Sequence, residues 1–158
     1  MVVEDSFTVQ ASQADVWKAI TDPGIVAPCV PGCEDVEVLG PTEYRAKVKV
    51  KVGPIKAKFN LNITITGEDP PFEMTSVTKG EEGSKASVVQ AENTLRLTHV
   101  DDQITTLYYR SEVSIVGRLG KFGFGFMKKK VKTLGDEFAV AFRKAVEPEI
   151  LSGEETAA

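Results

Sequence analysis

The sequence predicts an α+β fold: a curved antiparallel sheet of about seven strands wrapped on one long C-terminal helix, with two short helices after the first strand. Three observations carry this. Strict two-residue alternation runs on both sides of Gly53-Pro54 and returns in later segments. The turn signals "GEDPP", "KGEEGS" and "HVDDQ" separate those segments closely enough for an antiparallel meander. An apolar stripe stepping by three and four residues then ends the chain.

The first strand is "EDSFTVQAS", with Phe7 and Val9 on one face. "SQADVWKAITDP" reads as a helix that Ser12 caps and whose apolar face is Val16, Trp17 and Ile20. Asp22 caps a second, brief helix with Pro23 at its first position and Ile25 and Val26 within it. Pro28 and Pro31-Gly32 end that helix and turn the chain into "EDVEVLG".

The segment "YRAKVKVKVGPIKAKFNLNITITG" specifies a hairpin with a two-residue Gly53-Pro54 loop of type II′. In that register Val52 faces Ile55, Val50 faces Ala57, Val48 faces Phe59, Ala46 faces Leu61 and Tyr44 faces Ile63. The other face pairs Lys51 with Lys56, Lys49 with Lys58, Lys47 with Asn60 and Arg45 with Asn62. A slip of one residue would bury lysines, so the register is well specified. "FEMTSVT" places Phe72 and Met74 together. The next two strands place Val89, Ala91, Asn93, Leu95 and Leu97, then Leu107, Tyr109, Ser111, Val113 and Ile115, on single faces.

The last helix is expected from Arg118 to Ala145, with the stripe Phe124, Met127, Val131, Leu134, Phe138, Ala141 or Phe142, and Ala145. The proline-containing tail is polar, which suits a single domain over 1–146 and a flexible tail over 147–158.

Composition narrows the function. The chain has 158 residues, 42% hydrophobic and 27% charged, enough for one core without disulfide staples. A net charge of −4 argues against a general nucleic-acid binder. No apolar run approaches the roughly 20 residues that span a bilayer, and "MVVEDSF" lacks the apolar core of a secretory signal, so a cytoplasmic setting is expected. Cys29 and Cys33, four apart in "CVPGC", are then expected as free thiols. Their spacing is not the C-x2-C of redox or zinc sites, and His99 is the one histidine, so no metal site is expected.

The widths imply a cavity. Seven strands span about 28 Å at a spacing near 4.7 Å, while one helix is about 10–12 Å wide. The sheet must curl, and the short helices must close part of the remainder. Gly120 and Gly123 continue the helical stripe toward its start, with Gly125 close by. Close helix–sheet packing and an under-filled ligand cavity both account for them. Leu119, Phe122 and Phe126 flank the stripe and are expected to meet Ile25, Val26 and Val30.

Lys49, Lys51, Lys56 and Lys58 crowd the outer face of the hairpin, with Asp35, Glu37 and Glu73 expected to offset them. Lys121, Lys128, Lys129 and Lys132 add to this on the helix. They read either as solvated surface or as a dock for anionic lipid or an acidic protein, each lysine contributing about 1 kcal/mol near an anionic membrane.

The "DP…CVPGCE" bend, the "KVKVGPIKAKF" hairpin and the "GRLGKFG" helix opening resemble the carbon monoxide dehydrogenase CoxG family, within the helix-grip superfamily (SRPBCC) of START-like and polyketide-cyclase-like proteins. The resemblance covers roughly residues 3 to 142. It implies a non-enzymatic accessory protein of carbon monoxide oxidation, peripheral at the inner face of the cell membrane. Such a protein would hold a lipophilic quinone such as menaquinone, with no covalent cofactor, and link a carbon monoxide dehydrogenase-type oxidoreductase to the membrane respiratory chain. Gly120 stands where the family usually has Ala, and Phe124 and Gly125 stand where it has polar residues. Some members carry a C-terminal hydrophobic anchor, which the polar "SGEETAA" does not resemble.

On this reading the cavity walls are Phe59, Leu61, Met74, Leu95, Tyr109, Gly120, Gly123, Phe124 and Met127, under a lid of Ile25, Val26, Cys29 and Val30. Asn93 or Tyr109 would hydrogen-bond a quinone carbonyl. Two alternatives stand beside it. An aromatase or cyclase on the same fold would need an acid or base, for which His99 and Tyr109 are the candidates. An adaptor would bind the dehydrogenase through its lysines with no ligand.

Overall fold

In a computed structural model that describes residues 1–83 and 85–147, the capping residues act as the sequence predicts. Strand β1 (Val2–Val9) leads to α1 (Gln13–Ile20), whose cap Ser12 accepts from Asp15 N at 3.2 Å. Asp22 accepts from Gly24 N at 2.9 Å and starts α2 (Pro23–Val26), with Pro23 in the first turn. A 3-10 turn over Ala27–Cys29 follows. The chain then runs through β2 (Cys33–Gly40), β3 (Glu43–Val52), β4 (Ile55–Asp69), β5 (Glu73–Glu82), β6 (Ser87–Asp101) and β7 (Ile104–Gly117).

The strands form one antiparallel sheet in the order β1-β7-β6-β5-β4-β3-β2, so the first strand closes on the last. The hairpin register is the predicted one, from Val52 opposite Ile55 to Tyr44 opposite Ile63. Gly53 has φ +57°, the sign a Gly-first tight turn requires. Phe72 departs from the expectation. It is 54% exposed and belongs to the turn before β5, where its N–H donates to Asp69 O and its carbonyl accepts from Leu97 N.

The C-terminal helix starts later than the stripe suggests. Residues Arg118–Phe122 form a 3-10 turn, and α3 is Phe124–Val146. Gly123 stands between them with φ +85°, which L side chains rarely adopt. A Cβ on Gly120 would lie 2.9 Å from Ile115 O. The two glycines thus serve a backbone break and a close approach to β7, not a missing wall. The tail expected beyond Glu147 lies outside the described residues.

Two buried clusters hold the layers together. One joins Val9, Val16, Ala19, Cys29, Leu97, Leu107 and Phe142, with the ring of Phe142 fully buried. It fastens the C-terminal half of α3 to α1, β1, β6 and β7. The other joins Val52, Ala57, Phe59, Leu119 and Met127 and fastens the start of α3 to the hairpin tip. Leu119 and Phe122 therefore pack on the hairpin, not on the short helices as expected, because the 3-10 turn carries them toward β3 and β4. Among the described residues no helix is long and apolar enough to cross a membrane.

Candidate functional site

The C-terminal half of α3 packs on β1, β6 and β7, and its start packs on the tip of the β3-β4 hairpin. The rest of β2 to β5 is left to the short helices, and there a cavity of about 240 Å³ opens. Its floor is Cys33 and Val36 of β2, Tyr44, Ala46 and Val48 of β3, Leu61, Ile63 and Ile65 of β4, and Met74 and Ser76 of β5. Its roof is Ile20, Thr21, Pro23, Val26, Ala27 and Val30, and Glu68 also borders it. Ile20 packs against one core cluster and Leu61 against the other, so the cavity lies between them. The walls are predominantly apolar, the property of sites that take lipophilic molecules.

Of the residues expected here, Val26, Val30, Leu61 and Met74 line the cavity. The others sit elsewhere. Ile25, Leu95 and Tyr109 pack on the first core, and Phe59 and Met127 belong to the second. Cys29 is buried, and its thiol donates to Ile25 O at 3.2 Å. Burial pushes that thiol's pKa up. The cysteine of "CVPGC" that meets the cavity is instead Cys33. Phe124 is 59% exposed at the start of α3, and Gly120 and Gly123 serve the helix break. Asn93 lies in a polar row on the inward face, donating to Ser76 Oγ and Thr78 Oγ1 and accepting from Ser111.

Tyr109 reaches across to Gly135 of α3, where a Cβ would collide with its hydroxyl. Burial, then the nearby carboxylates of Asp5 and Asp136, raise its pKa. The other candidate acid or base, His99, is exposed near the end of β6. Among the described residues no three His, Cys, Asp or Glu side chains group as metal ligands would.

The wall residues that sequence reasoning missed were partly within reach. The hairpin register already places Tyr44, Ala46, Val48 and Ile63 on one face. What was missing was the strand order, which decides that this face is the uncovered one.

The lysines divide into two groups. A bulge between Cys33 and Asp35 turns Glu34 outward, 3.6 Å from Lys49 and 3.9 Å from Lys58. Glu34 thus offsets this pair, while Glu37 meets Arg45 and Glu73 meets Arg96. Lys132 pairs with Asp5 at 3.0 Å. Lys51, Lys56, Lys121, Lys128 and Lys129 form no ion pair among the described residues. Of these, Lys128 lies against an aromatic ring, and aromatic side chains gather at the hairpin turn that Lys51 and Lys56 flank. Phe122 lies against Gly53 and stacks on Phe126 at 5.2 Å, Phe126 is 46% exposed, and Lys128 Nζ lies 5.6 Å from the Phe124 ring centre.

A curved seven-stranded antiparallel sheet, a long C-terminal helix, short helices after β1 and an apolar cavity between them define a START-like helix-grip protein. Solved structures share the arrangement. A conserved protein from Geobacillus kaustophilus is 25% identical with a TM-score of 0.86, over 92% of this chain and 95% of that one. A START superfamily protein from Mycobacterium smegmatis is 13% identical with a TM-score of 0.71, over 92% and 96%. The Zhui aromatase/cyclase from Streptomyces sp. R1128 is 19% identical with a TM-score of 0.60, over 92% and 90%. The family model for the CoxG subunit of carbon monoxide dehydrogenase matches residues 6–147, and the chain belongs to that family. No curated protein matches the sequence.

Proposed function

We propose that this protein is a non-enzymatic carrier for a lipophilic molecule, an isoprenoid quinone of the menaquinone kind, serving a carbon monoxide dehydrogenase-type oxidoreductase. The observation that carries the reading is the apolar cavity between two separate cores. Its volume of about 240 Å³ is just below the roughly 300–1,000 Å³ of pockets for drug-sized ligands. That suits a ring system, with a long isoprenoid tail leaving through the mouth. The family name supports the oxidoreductase partner.

The aromatic and basic end supports peripheral contact with the inner face of the cell membrane. Exposed Phe124 and Phe126 offer apolar rings, and the lysines around them offer attraction to anionic headgroups. The likeness to an aromatase/cyclase concerns the fold. Turnover would need an acid or base in the cavity. Neither candidate expected from the sequence reaches it, since Tyr109 packs against Gly135 and His99 is exposed on β6; the titratable side chains that border the cavity are Cys33, Tyr44 and Glu68, the last exposed at its edge.

Lipid extraction of protein purified from its own host, with mass spectrometry, is expected to yield a quinone. Replacing Ala46 with Phe, which sends a ring into the cavity, is expected to empty it. Protein that arrives empty and takes up no quinone on incubation would refute the proposal.

A further inference from the structure

The inward face of the sheet carries a polar row. Ser111 of β7 stands opposite Asn93 of β6, which stands opposite Ser76 of β5. Apolar residues flank the row, among them Ala91 and Leu95 of β6. Polar groups on such a face are costly unless hydrogen-bonded. These are bonded, and the bonds run in one direction. The Ser111 hydroxyl donates to Asn93 Oδ1 at 2.8 Å. The Asn93 amide then donates to Ser76 Oγ at 3.2 Å and to Thr78 Oγ1 at 3.1 Å.

The row ends at the cavity. Ser76 is part of its floor, and Asn93 uses Ser76 as an acceptor. The Ser76 proton is therefore left over, and no acceptor among the described residues takes it. Other polar groups of the wall are differently placed, and Glu68 is exposed at its border. The Thr21 hydroxyl donates to Trp17 O at 2.7 Å, and the Cys33 thiol leans toward Asp35 O at 3.7 Å. Tyr44 stands on the outer strand pair, opposite Val38, which is 60% exposed. Ser76 is the hydroxyl whose orientation the fold sets by a relay of hydrogen bonds, each polarising the next.

We propose that Ser76 is the specificity-determining donor of the cavity, selecting an apolar ligand that carries a carbonyl oxygen. Asn93 is its positioning residue. By donating to Ser76 Oγ, Asn93 keeps the serine proton directed at the ligand. The inference rests on the carrier reading and adds to it a chemical class and a point of attachment.

Equilibrium dialysis with two probes tests it: 2-methyl-1,4-naphthoquinone, and 2-methylnaphthalene, which has the same rings without carbonyls. The wild-type chain is expected to prefer the quinone by about five- to tenfold, the worth of one neutral hydrogen bond. Ser76→Ala should remove the preference, with quinone binding falling relative to hydrocarbon binding, while Ser76→Thr should keep it. Asn93→Asp is the stricter variant, since a carboxylate only accepts and would draw the Ser76 proton away from the cavity. It should abolish the preference with Ser76 intact. A quinone preference that survives Ser76→Ala overturns the inference and leaves the carrier reading standing. A preference that survives Asn93→Asp overturns the positioning role. Binding of neither probe by the wild-type chain overturns both the inference and the carrier reading.

Discussion

Replacing Gly135 with Ala tests the contact that draws Tyr109 away from the cavity. Gly135 is inside α3, where alanine gains about 1 kcal/mol of helix propensity over glycine. The added Cβ would collide with the Tyr109 hydroxyl and lie 3.3 Å from Tyr109 Cζ. Overpacking of this kind costs about 1–3 kcal/mol. The net expectation for Gly135→Ala alone is a loss of between about zero and 2 kcal/mol. In a Tyr109→Phe background the colliding oxygen is gone, and the ring edge has only a few tenths of an ångström to give. There Gly135→Ala should stabilise by about 0.5–1 kcal/mol. The coupling energy between the two sites is then about 0.5–3 kcal/mol. Urea denaturation of the four proteins measures it, with unchanged m values showing that the transition is the same one. Additivity within about 0.5 kcal/mol would refute the contact.

Four further outcomes are expected. Gly32→Ala should cost about 3 kcal/mol or more, because Gly32 has φ +79° and a Cβ there would overlap the Lys49 carbonyl oxygen; a loss below about 1 kcal/mol in urea denaturation would contradict this. The Arg118 hydrogen bond, opposed by burial and aided by the Ser87 hydroxyl, holds the Glu82 pKa below its ordinary value of 4.5. A carboxylate with a lowered folded-state pKa contributes full stability above the unfolded value and loses it as pH falls through the folded one. Glu82→Gln should therefore cost about 2 kcal/mol near neutrality, with the gap closing below about pH 4.5; curves that stay parallel down to about pH 3 would refute the linkage. Vesicles containing anionic lipid should lose about fivefold in binding for each of Lys51, Lys56, Lys121 and Lys128 changed to Ala, and Phe124→Ser should weaken binding independently of salt. Cosedimentation unchanged by all of these would remove the membrane role from this end. Cys29 should resist a thiol reagent until the chain unfolds, while Cys33 should react in the native state and be slowed by a cavity ligand; equal rates would contradict their placement.

The hairpin was legible to the residue because its two faces differ so sharply: lysines lie on one and apolar side chains on the other. Ser12, Asp22 and Pro23 were legible because caps act within one turn. The cavity was only half legible. Alternation shows which side chains share a face, but the closing of β1 on β7 decides which part of that face α3 leaves bare. Four expected residues reached the wall because the short helices roof the right strands. Tyr109, Leu95 and Phe59 did not, because α3 reaches over the strands that hold them or packs beside the hairpin tip. Gly123 looked like missing volume because a sequence carries no φ. Gly135 drew no attention because the stripe of α3 reads through Leu134, and only the ring of Tyr109 on β7 gives the glycine a purpose.

The separation of the two cores bears on why the space between them persists. In closed, dry cavities each Å³ costs about 24 cal/mol, which sets a ceiling of about 6 kcal/mol on a space of 240 Å³, and water entering through the open mouth lowers it. That is comparable with the whole stability of many domains. Larger side chains at Ala46, Ser76 or Val48 would recover much of it, since each lies on the cavity floor. The fold tolerates the loss because neither core depends on the space. Phe142 and Leu107 close one, and Met127 and Leu119 close the other. A ligand at about a hundred times its Kd would return about 2.7 kcal/mol, enough to favour the loaded protein while leaving the empty one folded. A carrier needs both states. The same division explains the "CVPGC" bend. Cys29 ends in the first core and Cys33 in the cavity floor, while the carbonyl of Gly32 accepts from Lys49 N at 2.8 Å and pins the turn between them to β3. The cysteines mark the join between a packed core and the wall of a space kept open.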